Sequence, residues 1–138
     1  MRTPLMAMAV AAMAAIGFAA PAQATVNTVD MPFGMAYGNS ATTGTIHFTD
    51  GYTASVSGTV HAASDARQVC AYGMNGGTTS KTVCSPYAYA GEPNQSLSGS
   101  MRIEAAGGVQ RVYLTMFDSN GIPLTGEFCG RSGCTRDF

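Results

Sequence analysis

The chain has 138 residues, 11% of them charged, and a formal net charge of −1 at pH 7. Its seven Lys and Arg are scattered, so there is no basic run to hold a phosphate backbone or an anionic membrane surface, and nucleic acid is excluded as the main partner. There is no Trp, and only His47 and His61 could serve a mechanism built on a positioned imidazole.

Residues 1–24 read as a secretory signal. Arg2 supplies the positive start, Leu5 to Ala20 an apolar run, and Ala22-Gln23-Ala24 the small-residue cleavage pattern. The apolar run is shorter than the ~20 residues that span a bilayer and ends at Pro21. The sequence therefore predicts export, secreted or periplasmic, with no membrane span after processing. Residues 25–138 suffice for a single domain with one core.

All four cysteines, Cys70, Cys84, Cys129 and Cys134, lie in this exported part. An even count in an oxidising compartment points to two disulfides. Three connectivities are possible; Cys70–Cys84 and Cys129–Cys134 join the pairs nearest in sequence, and the first brackets a turn signal. The spacings contain no C-x-x-C or H-x-x-x-H element, so neither a metal nor a cofactor is expected.

Strong helix formers are scarce after residue 24, where one Lys, three Leu and three Glu remain. Short alternating runs between Gly, Asn and Asp turns take their place, spaced by about 8 to 12 residues. A run over Val26–Asp30 opens the domain. A hairpin over Thr43–Val60 then turns at Thr49-Asp50-Gly51. A three-residue loop there pairs Phe48 with Tyr52 and gathers Ile46, Phe48, Tyr52, Ala54, Val56 and Val60 on one face, with His47, His61 and a series of Ser and Thr on the other. A second hairpin joins Arg67–Met74 to Thr78–Ser85 through Asn75-Gly76-Gly77 and sets Cys70 close to opposite Cys84.

The last third reads as a meander of Ser96–Glu104, Val109–Phe117 and Ile122–Cys129, turning at Ala106-Gly107-Gly108 and Ser119-Asn120-Gly121. Its registers set Gly99, Met101 and Ile103 against Val112, Leu114 and Met116, and these in turn against Leu124, Gly126 and Phe128. On the outer face Glu104 then meets Arg111, while Tyr113 meets Arg102 and Glu127. Leu114 should be buried and Thr115 exposed. Pro123 cannot donate to a ladder, which places the last strand at a sheet edge. About seven antiparallel strands make an all-β sandwich. Its architecture resembles the immunoglobulin fold, without the Cys, Trp and Cys signature of antibody domains.

Neither histidine lies in a nucleophile context, and the hairpin register separates them by roughly 27 Å at ~3.3 Å per residue. No catalytic residue is expected. Asp118-Ser119-Asn120-Gly121 opens like a calcium loop but lacks the later Glu, and reads as a turn. Met31, Met35, His47 and Met74 are soft ligands of the kind copper takes. Tyr87 and Tyr89 alternate just after Pro86, and Tyr113 lies on the outer face of the meander; Tyr supplies rigid, amphipathic contact area for recognition. The segment Cys129-Gly130-Arg131-Ser132-Gly133-Cys134 would present Arg131 and Ser132 on a clamped loop, as an inhibitor of a trypsin-like protease does. The sequence thus points to a non-enzymatic binding or structural domain that meets an unknown extracellular protein or polymer. A serine-protease inhibitor and a copper-handling protein are the alternatives. Intact mass of the exported form should place Thr25 first; retention of residues 1–24 would overturn the signal assignment.

Overall fold

The computed structural model describes residues 28–49 and 51–138; the expected signal segment, the start of the Val26–Asp30 run and Asp50 lie outside them. Among the described residues there are ten strands rather than about seven: β1 (Val29–Tyr37), β2 (Ser40–Phe48), β3 (Thr53–His61), β4 (Gln68–Asn75), β5 (Thr78–Thr79), β6 (Val83–Cys84), β7 (Gln95–Arg102), β8 (Arg111–Phe117), β9 (Pro123–Gly130) and β10 (Gly133–Arg136). They form two antiparallel sheets, one ordered β1-β2-β3-β7 and the other β10-β9-β8-β4-β5, with β6 also paired to β4. No described helix is long and apolar enough to cross a membrane.

Period-two alternation builds the core. Ile46 and Phe48 of β2, Ala54, Val56 and Val60 of β3, and Leu97 and Met101 of β7 point inward and are essentially inaccessible. They meet Val69 and Ala71 of β4 and Val112, Leu114 and Met116 of β8 from the other sheet. The outer face of the first sheet carries hydroxyls in rows: Thr43, Thr59 and Ser96 side by side, then Thr45, Ser57 and Ser98.

Phe33 of β1 pairs with Gly44, which pairs with Gly58. A Cβ at Gly44 would sit 2.3 Å from the Ser57 carbonyl oxygen and 2.7 Å from Phe33 Cζ, and one at Gly58 would sit 3.0 Å from the same ring atom. The ring therefore lies across two glycines and fills the space that two side chains would take. A similar close fit joins the sheets at β7, where Val83 of β6 occupies the position of a Gly99 side chain. At the opposite corner β1 packs against β9 and β10.

The first hairpin keeps its expected faces but with a longer loop. Phe48 pairs with Ala54, because Thr49 donates both its N–H and its Oγ1 hydroxyl to the Thr53 carbonyl, at 3.2 and 2.7 Å. Tyr52 consequently lies outside the core, 47% exposed. The second hairpin pairs Cys70 with Cys84 as expected, and both local disulfides form. Val69, Ala71 and Gly73 turn inward, so the Cys70–Cys84 bridge shares the outer face with Tyr72 and Met74.

The meander is overturned at its first step. β7 pairs with β3, whereas β8 pairs with β4 and β9. The Ile103 N–H goes to the Tyr52 carbonyl, and Gly107 and Gly108, at φ 89° and 58°, turn the chain across to the second sheet. Neither the Glu104–Arg111 nor the Arg102–Tyr113 pairing forms: Arg102 donates to Glu104 at 3.0 Å and lies over the Tyr52 ring.

The second loop closes as expected, with Asp118 Oδ1 accepting the N–H groups of Asn120 and Ile122 at 2.9 Å and Phe117 opposite Pro123. Leu124 then has no partner, and Met116 faces Thr125. This bulge shifts the rest of β9 by one residue and exchanges its faces. Thr125, Glu127 and Cys129 go inside, and Phe128 goes outside. β9 is not the edge strand either. β10 covers it from Glu127 to Gly130, leaving only the Pro123 end without a second neighbour. Leu114 is fully buried, and Thr115, expected to be exposed, is buried too at 7%, on the outer face between Cys70 and Gly126 beside the disulfide.

Gly44→Ala should destabilise the fold by about 1–3 kcal/mol, because backbone stands where the new methyl must go. Gly77→Ala, with nothing within 4 Å of the new atom, should change stability by less than about 0.5 kcal/mol. Denaturant midpoints of the two variants check the contrast.

Candidate functional site

Three aromatic side chains stand abreast on the outer face of the second sheet. Tyr72 of β4 pairs with Tyr113 of β8, which pairs with Phe128 of β9. The Tyr72 and Tyr113 rings meet edge to face at 5.5 Å, and Tyr113 and Phe128 lie 4.5 Å apart at a 38° tilt, separations at which aromatic pairs attract. Each ring keeps part of its surface open. Arg111 lies over the Phe128 ring at 5.8 Å, and Phe138 lies near Tyr113 where Gly126 leaves room. Tyr113 donates its hydroxyl to Asp137 at 2.8 Å. Burial, then the Asp137 hydrogen bond and charge, hold the phenol above its ordinary range.

Of the residues singled out from sequence, only Tyr113 belongs to this strip. Tyr89 is exposed and Tyr87 half-buried, in the segment that meets β4 through the Arg67–Ala88 bridge at the Phe117 end of β8. Arg131 and Ser132 lie at the other end, in the two-residue turn between β9 and β10. Ser132 is exposed, but Arg131 is folded back, with its guanidinium 5.2 Å from the Phe48 ring and donating to the Thr49 carbonyl at 2.8 Å. It covers one end of the core. Tyr72 and Phe128 were not read as site residues. The Leu124 bulge hides Phe128, and no local pattern ties Tyr72 to Tyr113, its partner across β4 and β8.

The copper set is not brought together. Met31 and Met35 turn to the core side of β1, His47 projects from the outer face of β2, and Met74 belongs to the other sheet. His47 is hydrogen-bonded to Asp30, and His61 to Asn94 at 2.9 Å. His61 lies six positions beyond the residue opposite His47, roughly 20 Å along the strand. Lys81, Ser100, Arg102 and Glu104 line an open depression of about 380 Å³.

The other chemically distinctive group is Glu127, 7% exposed on the core side of β9. It accepts the Gly34 N–H from the edge of β1. Its Oε1 lies 3.3 Å from Cys129 Sγ, a contact without a proton while the sulfur is in a disulfide.

No family model, curated protein or solved structure matches the chain. Its function has to be read from its own residues.

Burial raises the Glu127 carboxyl above 4.5, and the Gly34 hydrogen bond and the Arg136 charge offset only part of that. The native state therefore binds more protons than the unfolded chain between the ordinary carboxylate range and the raised value, so stability falls as pH rises through that window. Glu127→Gln should remove this slope. The variant should gain on wild type as pH climbs from 4 to 7, measured by denaturant unfolding.

Proposed function

We propose that the protein is an exported, immunoglobulin-like domain without enzymatic activity, which binds an extracellular polymer through the Tyr72–Tyr113–Phe128 strip. The in-register row of three rings carries this reading. A partly open row of rings, set edge to face and tilted, offers apolar contact surface to the repeating apolar faces of a saccharide chain, and the Tyr72 hydroxyl and the Arg111 guanidinium at its border offer hydrogen bonds. Rings already held by cross-strand contacts lose little freedom on binding.

Export is supported by the two disulfides, which suit a non-reducing compartment, and by the signal pattern of residues 1–24. The strand order supports the immunoglobulin-like reading: β3 beside β7 in one sheet and β4 beside β8 in the other is the Greek-key arrangement of such sandwiches. Protease inhibition through Arg131 is the weaker reading, because that side chain is engaged with Phe48 and Thr49.

Retention on a panel of insoluble polysaccharides tests the proposal. Wild type should be retained on at least one, and Tyr72→Ala should weaken that retention roughly tenfold, ~1.4 kcal/mol, with Tyr89→Ala unchanged. No retention on any member, or equal retention of wild type and Tyr72→Ala, would overturn it.

A further inference from the structure

The corner where β1 meets β9 and β10 holds three potential metal ligands. The Glu127 carboxylate, Cys129 Sγ and Cys134 Sγ all lie within 4.8 Å of one another. The Pro32 carbonyl oxygen is 3.5 Å from Cys134 Sγ. Glu127 and Cys129 are buried, and Cys134 is half-buried, which leaves a route from solvent. Two sulfurs and one or two oxygens are a donor set that Zn²⁺ accepts, and in a tetrahedral site with Zn–S near 2.3 Å and Zn–O near 2.1 Å the ligand atoms stand about 3.4–3.8 Å apart. The carboxylate oxygen, 3.3 Å from Cys129 Sγ and within 4.8 Å of Cys134 Sγ, already stands near ligand spacing, whereas the two sulfurs, bonded at 2.06 Å in the disulfide, reach it only once that bond is opened.

We propose that reduction of the Cys129–Cys134 disulfide converts this corner into a Zn²⁺ site with Cys129, Cys134 and Glu127 as ligands. The reductant is a dithiol. One of its thiolates attacks Cys134 Sγ, the more accessible sulfur, and Cys129 leaves as a thiolate; the second thiol then displaces Cys134 from the mixed disulfide. Two electrons and two protons pass to the protein, and the dithiol becomes a disulfide. Zn²⁺ binding then releases the thiol protons.

Three features make the corner suited to this. The two cysteines are directly paired across β9 and β10, so opening the S–S bond leaves both sulfurs on neighbouring backbone positions. Glu127 lies two residues before Cys129 on the same face of β9. Its carboxylate is held in place by Gly34, with little solvent around it, so a cation at this point replaces lost hydration. Arg136, opposite Glu127 on β10, is exposed and donates its Nε–H to the Phe138 carbonyl at 3.3 Å, and its charge offsets part of the desolvation of Glu127.

The test is titration of the protein with Zn²⁺ alone, with and without a phosphine reductant, read by calorimetry and by the melting temperature. The Cys70→Ser/Cys84→Ser variant isolates the corner. Reduced wild type and reduced Cys70→Ser/Cys84→Ser should each bind one Zn²⁺ and melt higher with it, the oxidised protein should bind none, and Glu127→Gln should weaken binding at least tenfold. Reduced Cys129→Ser/Cys134→Ser should not bind. If reduction alone unfolds the chain, Zn²⁺ should restore the cooperative melt. Equal binding by oxidised and reduced protein, retained affinity in Glu127→Gln, or failure of Zn²⁺ to stabilise or refold the reduced chain would each overturn the proposal.

Discussion

One unpaired residue, Leu124, determines what β9 shows to each side of the second sheet. Because side chains alternate with a period of two, a single inserted position exchanges every face that follows it. Without the bulge, Phe128 and Gly126 would enter the core, and Glu127 and Cys129 would face solvent. With it, Phe128 joins Tyr113 and Tyr72 outside, while Glu127 meets the edge of β1 inside. The aromatic strip and the carboxylate–sulfur corner are therefore two results of one irregularity.

Much of the architecture was legible because apolar alternation is a strong constraint. The inward sets on β2, β3, β7 and β8, both disulfides and the turn after Phe117 could all be read from local pattern and turn chemistry. Partnership between distant strands could not. β7 and β8 are consecutive and separated by a Gly-Gly turn, which reads as a hairpin. Yet the turn carries the chain from one sheet to the other, and no local feature records that β3 and β4 already offer it edges.

The site was less legible than the fold, for a related reason. Tyr113 stood out as an outward tyrosine, but its neighbours depended on two pairings, β4 with β8 and β8 with β9. The first is long-range, and the second was read one residue out of step. Arg131 illustrates the opposite error. Two glycines and a disulfide make the β9–β10 turn look like a presented loop, whereas its arginine reaches across to Phe48 and Thr49 at the end of β2 in the other sheet.

The placement of the disulfides also has a mechanical side. Each bridge joins residues that already stand directly opposite on neighbouring strands, and both terminal strands, β1 and β10, lie at sheet edges. Tension applied to the two ends of the domain would load these edge strands first, and at Cys134 the force would pass through sulfur directly into β9, bypassing the turn. The bridges close off segments of 14 and 5 residue steps, roughly 65 Å of contour at ~3.4 Å per step that could not be drawn out until a bridge was reduced. The oxidised domain is thus a shorter tether than its residue count implies, and its reach when pulled depends on the redox state of its surroundings.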